Sequence, residues 1–238
     1  MSFNRIFLCL FYVVLLFCGC GAPTEQEGAT DLFLQTGTEA DFISTLTFLG
    51  DSTTAHMQNR ARVEPWQVWA AKNRYLNLSS RITYEKIVCP SNGQEMTIAE
   101  VAATERPQYL VVTLGVDYGV YYYRDEPKTF ELYYEKLLDA IGAASPETTL
   151  ILQSIFPVGR ASRSITNEMI QSANAVIKDI AARRALVYVD ATAVLADSKG
   201  YLREEYCYSE DGIHLTASAY DAILNHLKTY ESEIKAQK

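Results

Sequence analysis

Five short apolar runs punctuate the chain: Thr45–Leu49, Ile82–Val88, Tyr109–Leu114, Thr149–Phe156 and Ala185–Asp190. Most are continuous rather than alternating, the pattern of strands covered on both faces. Between them the spacing predicts helices over about 55–72, 97–105, 128–143 and 167–183, and a last one over about 217–235. The last is well marked, because Thr216 is a good N-cap residue and Ala219, Ile223 and Leu227 recur on one helical face. Pro65 should break or kink the first helix, since proline lacks the N–H that the helix ladder needs. Strand–helix alternation of this kind predicts a three-layer α/β/α fold, with a five-stranded parallel, flavodoxin-like sheet. Ligands in such folds bind beyond the carboxyl ends of the strands. Ser52 should lie at that edge, with the loops over 90–95, 115–125 and 191–215.

The first residues have a different character. Asn4-Arg5 precedes an apolar run from Ile6 to Phe17, too short for a comfortable membrane span and suited to a secretory leader. It ends in Phe17-Cys18-Gly19-Cys20, which resembles a bacterial lipobox, with Phe17 where leucine is preferred. This implies a lipoprotein signal peptide over 1–19 and lipidation at Cys20. A small, polar and acidic tether would then cover 20–41, leaving one domain over 42–238. An ordinary cleaved leader or an uncleaved N-terminal anchor are the other readings. All three place the domain outside the cytoplasm, and the first makes it an exported lipoprotein on the extracytoplasmic face of a bacterial membrane. In an exported domain Cys89 and Cys207 are a possible disulfide, against two free or buried thiols. The net charge of −8 disfavours nucleic acid and anionic lipid surfaces, so the only membrane contact expected is through the N-terminal lipid.

The candidate chemistry begins at Gly50-Asp51-Ser52-Thr53, where a serine follows directly on a buried strand. Asp211-Gly212-Ile213-His214 lies far along the chain and offers a base and a carboxylate to orient it. A serine hydroxyl is a weak nucleophile unless a base takes its proton during attack, and imidazole titrates in the right range. A carboxylate on the far ring nitrogen fixes the tautomer and favours the charged ring. Gly50-Asp51-Ser52, Gly93, Gly115-Val116-Asp117 and Asp211-x-x-His214 together resemble, in chain order, the blocks of the SGNH (GDSL-type) hydrolase family. The resemblance implies Ser52 as nucleophile, His214 as general base and Asp211 as its orienting carboxylate. It further implies an oxyanion hole from the backbone N–H of Ser52, that of Gly93, and a side chain at position 117. Family members carry asparagine there, and this chain has Asp117. An ionised Asp117 has no proton to donate, whereas one protonated through burial does. Asn92 or a backbone N–H such as that of Gly119 are alternative donors, and a domain without catalysis is a third reading.

Other residues invite plainer readings. Asp51 reads as a hydrogen-bonding support under the nucleophile turn. His56 reads as a solvated helix residue or one at the cleft rim, and His226 as structural or solvent-facing. Three histidines without paired carboxylate spacing give a metal site little support, and no cofactor is expected. Tyr121-Tyr122-Tyr123 follows the third block, so Tyr118, Tyr121 and Tyr122 are candidates for stacking on a sugar, with core packing as the alternative. The expected function is a serine esterase that deacetylates or deacylates a carbohydrate or other small ester at the cell surface, as a monomer. Two alternatives remain: a lysophospholipase or thioesterase of the same family, and a non-catalytic carbohydrate-binding lipoprotein.

Overall fold

Continuous apolar runs become buried strands here. Leu46–Gly50, Tyr109–Thr113 and four of the five residues in Thr149–Gln153 are buried. The computed structural model describes residues 41–208 and 210–237. In chain order the elements are β1 (Leu46–Gly50), α1 (Ser52–Ala55), α2 (Met57–Arg60), β2 (Val68–Trp69), β3 (Lys86–Val88), β4 (Glu95–Thr97) and α3 (Ile98–Glu105). They continue with β5 (Tyr109–Thr113), α4 (Pro127–Ala144), β6 (Thr149–Gln153), α5 (Asn167–Arg183), β7 (Val187–Val189), α6 (Thr192–Leu195), α7 (Ala217–Lys228) and α8 (Glu231–Lys235).

The main sheet runs β2-β1-β5-β6-β7, and every pairing is parallel. Counted among these five strands in chain order, that is 2-1-3-4-5, the flavodoxin-like order. The order reverses between β1 and β5, so the crevice at their carboxyl ends is the switch point where ligands bind in such sheets. Successive strand residues point to opposite faces. Leu110 and Val112 join Ile98, Val101, Leu137 and Ile177 in one buried layer. Tyr109 and Val111 join Ile223, Leu227 and Ile234 in the other. These are the three layers that the apolar pattern predicts.

Two expectations near the first crossover are corrected. The helix expected over 55–72 stops at Arg60, and Ala61 is extended. Pro65 opens a short 3-10 turn instead of kinking a longer helix. The buried Gln67 amide then donates to the carbonyls of Ile43 and Leu46 at 2.8 and 2.7 Å, which steers Val68-Trp69 into the sheet as its edge strand. The run Ile82–Val88 is therefore not the second strand of the main sheet. Ile82–Tyr84 is a 3-10 turn, and Lys86–Val88 pairs antiparallel with β4 in a separate hairpin. Its apolar character reflects Ile82 and Ile87 packing under the main sheet's α3–α5 layer. The final helix divides at Thr229-Tyr230 into α7 and α8, while α5 covers 167–183 as expected.

Candidate active site

Gly50 is the last residue of β1, and Ser52 is the first of α1. The turn is tight: a Cβ on Gly50 would lie 2.1 Å from both the Thr113 carbonyl oxygen and Thr54 Oγ1. Glycine is therefore required where β1 and β5 separate. Asp51 is buried beneath the turn, and its Oδ2 accepts the backbone N–H groups of Gly115, Val116 and Asp117 at 2.9, 2.8 and 3.4 Å. Oδ1 accepts Thr53 Oγ1 at 3.1 Å. Asp51 thus ties the start of α1 to the loop after β5, the supporting role expected of it.

That tie delivers Asp117 directly onto Ser52. Asp117 Oδ2 accepts the Ser52 backbone N–H at 2.9 Å, and Oδ1 accepts the Ser52 hydroxyl at 2.6 Å. The carboxyl group therefore occupies both polar groups of the candidate nucleophile. Burial raises the pKa of Asp117, while the two Ser52 hydrogen bonds and the charge of His214 oppose the rise. Asp51 is pushed up to about 7, first by burial and then by the Asp117 carboxylate, against the pull of its backbone donors. Two carboxyl groups meeting at one buried turn disfavour both being ionised together.

Asp211 and His214 are brought together as expected, with His214 Nδ1 2.6 Å from Asp211 Oδ2. Asp211 Oδ1 also accepts the N–H groups of Ile213 and His214 at 2.7 and 3.2 Å, so the carboxylate orders the short loop as well as the ring. Gly212 permits the bend with φ of 70°, and its carbonyl accepts the Gly159 N–H at 2.7 Å. Among the described residues no hydrogen bond joins Ser52 to His214, because the serine hydroxyl points to Asp117. The loop nonetheless reaches the α1–α2 segment, where the His56 and His214 rings lie 4.6 Å apart. His56 is lowered to about 4, by burial first and then by the charges of Arg60, His214 and Arg74, so its ring stays neutral near pH 7.

Gly93 is not brought to this site. It sits exposed in the β3–β4 turn with φ of 72°, and its N–H donates to the Cys89 carbonyl at 2.8 Å. Asn92 belongs to the same turn, accepting the Gln94 N–H at 2.9 Å. The reason is topological: these residues follow the hairpin strand, not the sheet's true edge strand β2. The loop leaving β2 instead docks on the third block, through the Leu78 N–H to the Tyr118 carbonyl at 3.1 Å. The possible disulfide is absent as well. Cys89 is a buried thiol donating to Glu105 Oε1 at 3.0 Å, and Cys207 is a second free thiol. Tyr118 stacks on Tyr122 with ring centroids 4.0 Å apart, and exposed Tyr121 meets Tyr122 edge-on. Tyr123 packs inward against Tyr133. His226 binds the Asp190 carbonyl at 3.0 Å and packs on Tyr230. Cys20 lies outside the described residues. The spacing of the motifs did not reveal Arg60 or Tyr208, which border the histidine pair; only the four-residue interval from Ser52 to His56 to Arg60 hinted at the first.

The serine thus lies at the switch point of a parallel sheet, and a histidine–carboxylate pair reaches the helical segment that follows it. Residues 48–222 match the model of the GDSL-like lipase/acylhydrolase family, and the chain belongs to that family. No curated protein sequence matches it. Among solved structures it is similar to a GDSL-like lipase from Bacteroides thetaiotaomicron, at 17% identity and a TM-score of 0.53, over 79% of this chain and 87% of that one. It is also similar to a family 3 carbohydrate esterase from Clostridium thermocellum, at 17% identity and a TM-score of 0.51, over 81% of this chain and 97% of that one. At such identities the likeness is one of fold.

Proposed function

We propose that this protein is a serine esterase that removes acetyl or other short acyl groups from a carbohydrate, with Ser52, His214 and Asp211 as its triad. The observation that carries the reading is the Asp211–His214 pair at 2.6 Å, on the loop that packs against the helix headed by Ser52. His214 Nε2 takes the serine proton as Oγ attacks the ester carbonyl, and Asp211 on Nδ1 stabilises the imidazolium. The ring then gives the proton to the departing alcohol, and water attacks the acyl-serine by the same route in reverse. The Ser52 N–H is the first oxyanion donor. Asp117 holds that N–H in the resting site, so the substrate must displace its carboxylate, or a protonated Asp117 must turn its O–H toward the oxyanion.

Stacked Tyr118 and Tyr122, with Tyr121 and Tyr122 exposed, support a sugar rather than a long acyl chain, because an exposed ring face offers an apolar surface on which a sugar can stack. The similarity to a carbohydrate esterase points the same way. We further propose attachment to a membrane through lipid on Cys20, tested by labelling with a fatty-acid analogue in wild type and Cys20→Ala.

The grip of Asp117 on both polar groups of Ser52 favours a second reading, a domain that binds glycans without turnover. Hydrolysis of 4-nitrophenyl acetate and butyrate separates the two. Activity in wild type that disappears in Ser52→Ala supports the esterase; equal inertness of both folded proteins toward these esters and acetylated sugars favours binding.

A further inference from the structure

His214 is carried on a short antiparallel ladder, whose place relative to Ser52 must be set by contacts from outside it. The Tyr208 N–H donates to the His214 carbonyl at 2.8 Å, the Thr216 N–H donates to the Tyr206 carbonyl at 3.0 Å, and Cys207 pairs with Leu215 between them. Asp211 belongs to the same loop. It fixes the tilt of the imidazole within the loop, but it moves with the loop and so cannot fix the distance from His214 to Ser52. Gly212 is held from the β6 side, where its carbonyl accepts the Gly159 N–H at 2.7 Å. One such hold leaves a hinge; a second, from the serine side, defines the approach.

Arg60 supplies that second hold. The His56 N–H donates to the Ser52 carbonyl at 3.1 Å and α2 follows at once, so Ser52, His56 and Arg60 recur at four-residue intervals along one face. From there Arg60 reaches both strands of the ladder. Its Nη1 donates to the carbonyl of Leu215, the residue after His214, at 3.1 Å, and its guanidinium carbon lies 3.4 Å from the centroid of the Tyr208 ring. The same Nη1 lies 3.4 Å from His56 Nδ1, and the His56 ring packs on His214 with centroids 4.6 Å apart. Burial foremost, and then the Arg60 charge, hold His56 at about 4, so it touches the base without a charge that would repel a protonated His214. Stacking by its face and donating by its edge requires a planar cation; a lysine ammonium is a point charge on a flexible stem.

We infer that Arg60 is a positioning residue for the proposed reaction: by holding Leu215 and Tyr208 it sets the distance of His214 from Ser52. The inference rests on the esterase reading. Arg60 is engaged by the protein itself, so its loss should lower turnover rather than weaken substrate binding. Acylation and deacylation both pass through His214 and should slow together, leaving KM little changed.

The test measures kcat and KM on 4-nitrophenyl acetate with the full chain, for Arg60→Met, Arg60→Lys and Tyr208→Leu, each alone and combined with His214→Ala. Arg60→Met, which keeps the apolar stem, is expected to lower kcat by about 10- to 100-fold, the scale of an ångström of misplacement. Arg60→Lys should recover little of this, because it restores the charge without the stacked fork. Tyr208→Leu, at an exposed position, should lose activity in the same direction and carries the test if the arginine variants fold poorly. In His214→Ala the same changes should cost nothing further, since Arg60 acts through the histidine. Hydrogen exchange in peptides covering 206–208 and 214–216 should quicken in Arg60→Met while β1 and β5 stay unchanged. Equal losses with and without His214, a loss confined to KM, full rescue by lysine, or full activity in both Arg60→Met and Tyr208→Leu overturns the inference and leaves the esterase intact. If wild type is inert, the esterase reading fails, and exchange decides whether Arg60 holds the loop: faster exchange limited to these peptides supports it, and unchanged exchange overturns it.

Discussion

Replacing Asp117 by asparagine should raise esterase activity, and the structure sets the scale. In the resting site Asp117 accepts from Ser52 N–H at 2.9 Å and from Ser52 Oγ at 2.6 Å, so an ionised carboxylate blocks one oxyanion donor and supplies none. A neutral asparagine holds the Ser52 N–H less strongly than a carboxylate, so the substrate oxygen can take that N–H, and the asparagine NH2 can turn toward the oxyanion as a second donor. A single oxyanion donor is worth on the order of 100- to 1,000-fold in kcat, roughly 3–4 kcal/mol. The gain at about pH 8 should reach some fraction of that, about tenfold or more, since the amide must also share its position with the serine. Burial raises the pKa of Asp117, so falling pH converts the wild-type carboxylate into a donor. The ratio of variant to wild-type activity should therefore be largest in alkali and decline toward acid; taking a ratio cancels the shared titration of the base. Rates on 4-nitrophenyl acetate at each pH measure it. A ratio below one at pH 8 between two folded proteins, or one that does not change with pH, would refute the reasoning.

Asp51 makes stability depend on pH. Its folded pKa of about 7 lies above the ordinary value of 3.8, so the native state holds a proton that the unfolded chain has released. The stability this group contributes is complete below about 3.8 and is lost as pH rises through about 7. Melting temperature for wild type should accordingly fall relative to Asp51→Asn across that window; parallel curves would count against a raised pKa at this buried turn. Gly50→Ala should cost about 3 kcal/mol or more in denaturant unfolding, because a Cβ 2.1 Å from the Thr113 carbonyl forces β1 from β5. A loss under about 1 kcal/mol would show that the strands give way easily. Cys89 and Cys207 are free thiols, so reducing and non-reducing electrophoresis should give one mobility, and a shift on reduction would mean that they are bridged.

The sequence by itself determined the layers and the terminal pieces of the site. Continuous runs such as Tyr109–Leu114 must be buried on both faces, and helices such as 167–183 carry their own periodicity and caps, so local pattern suffices for them. Asp211 and His214 lie three residues apart, and a contact that close in the chain is legible without a fold. Only the tertiary structure decided which short segment became the edge strand. Val68-Trp69 is two residues long and carries no pattern of its own; it joins β1 because the buried Gln67 amide is held by the carbonyls of Ile43 and Leu46. That choice moved Gly93 away from the site and brought the Leu78 loop to Tyr118. The meeting of Asp117 with Ser52, 65 positions earlier, and of Arg60 with the Leu215 carbonyl, 155 positions later, likewise depends on crossovers around the switch point. Such contacts arise from packing two distant loops at one sheet edge, and no interval along the chain encodes the distance between them.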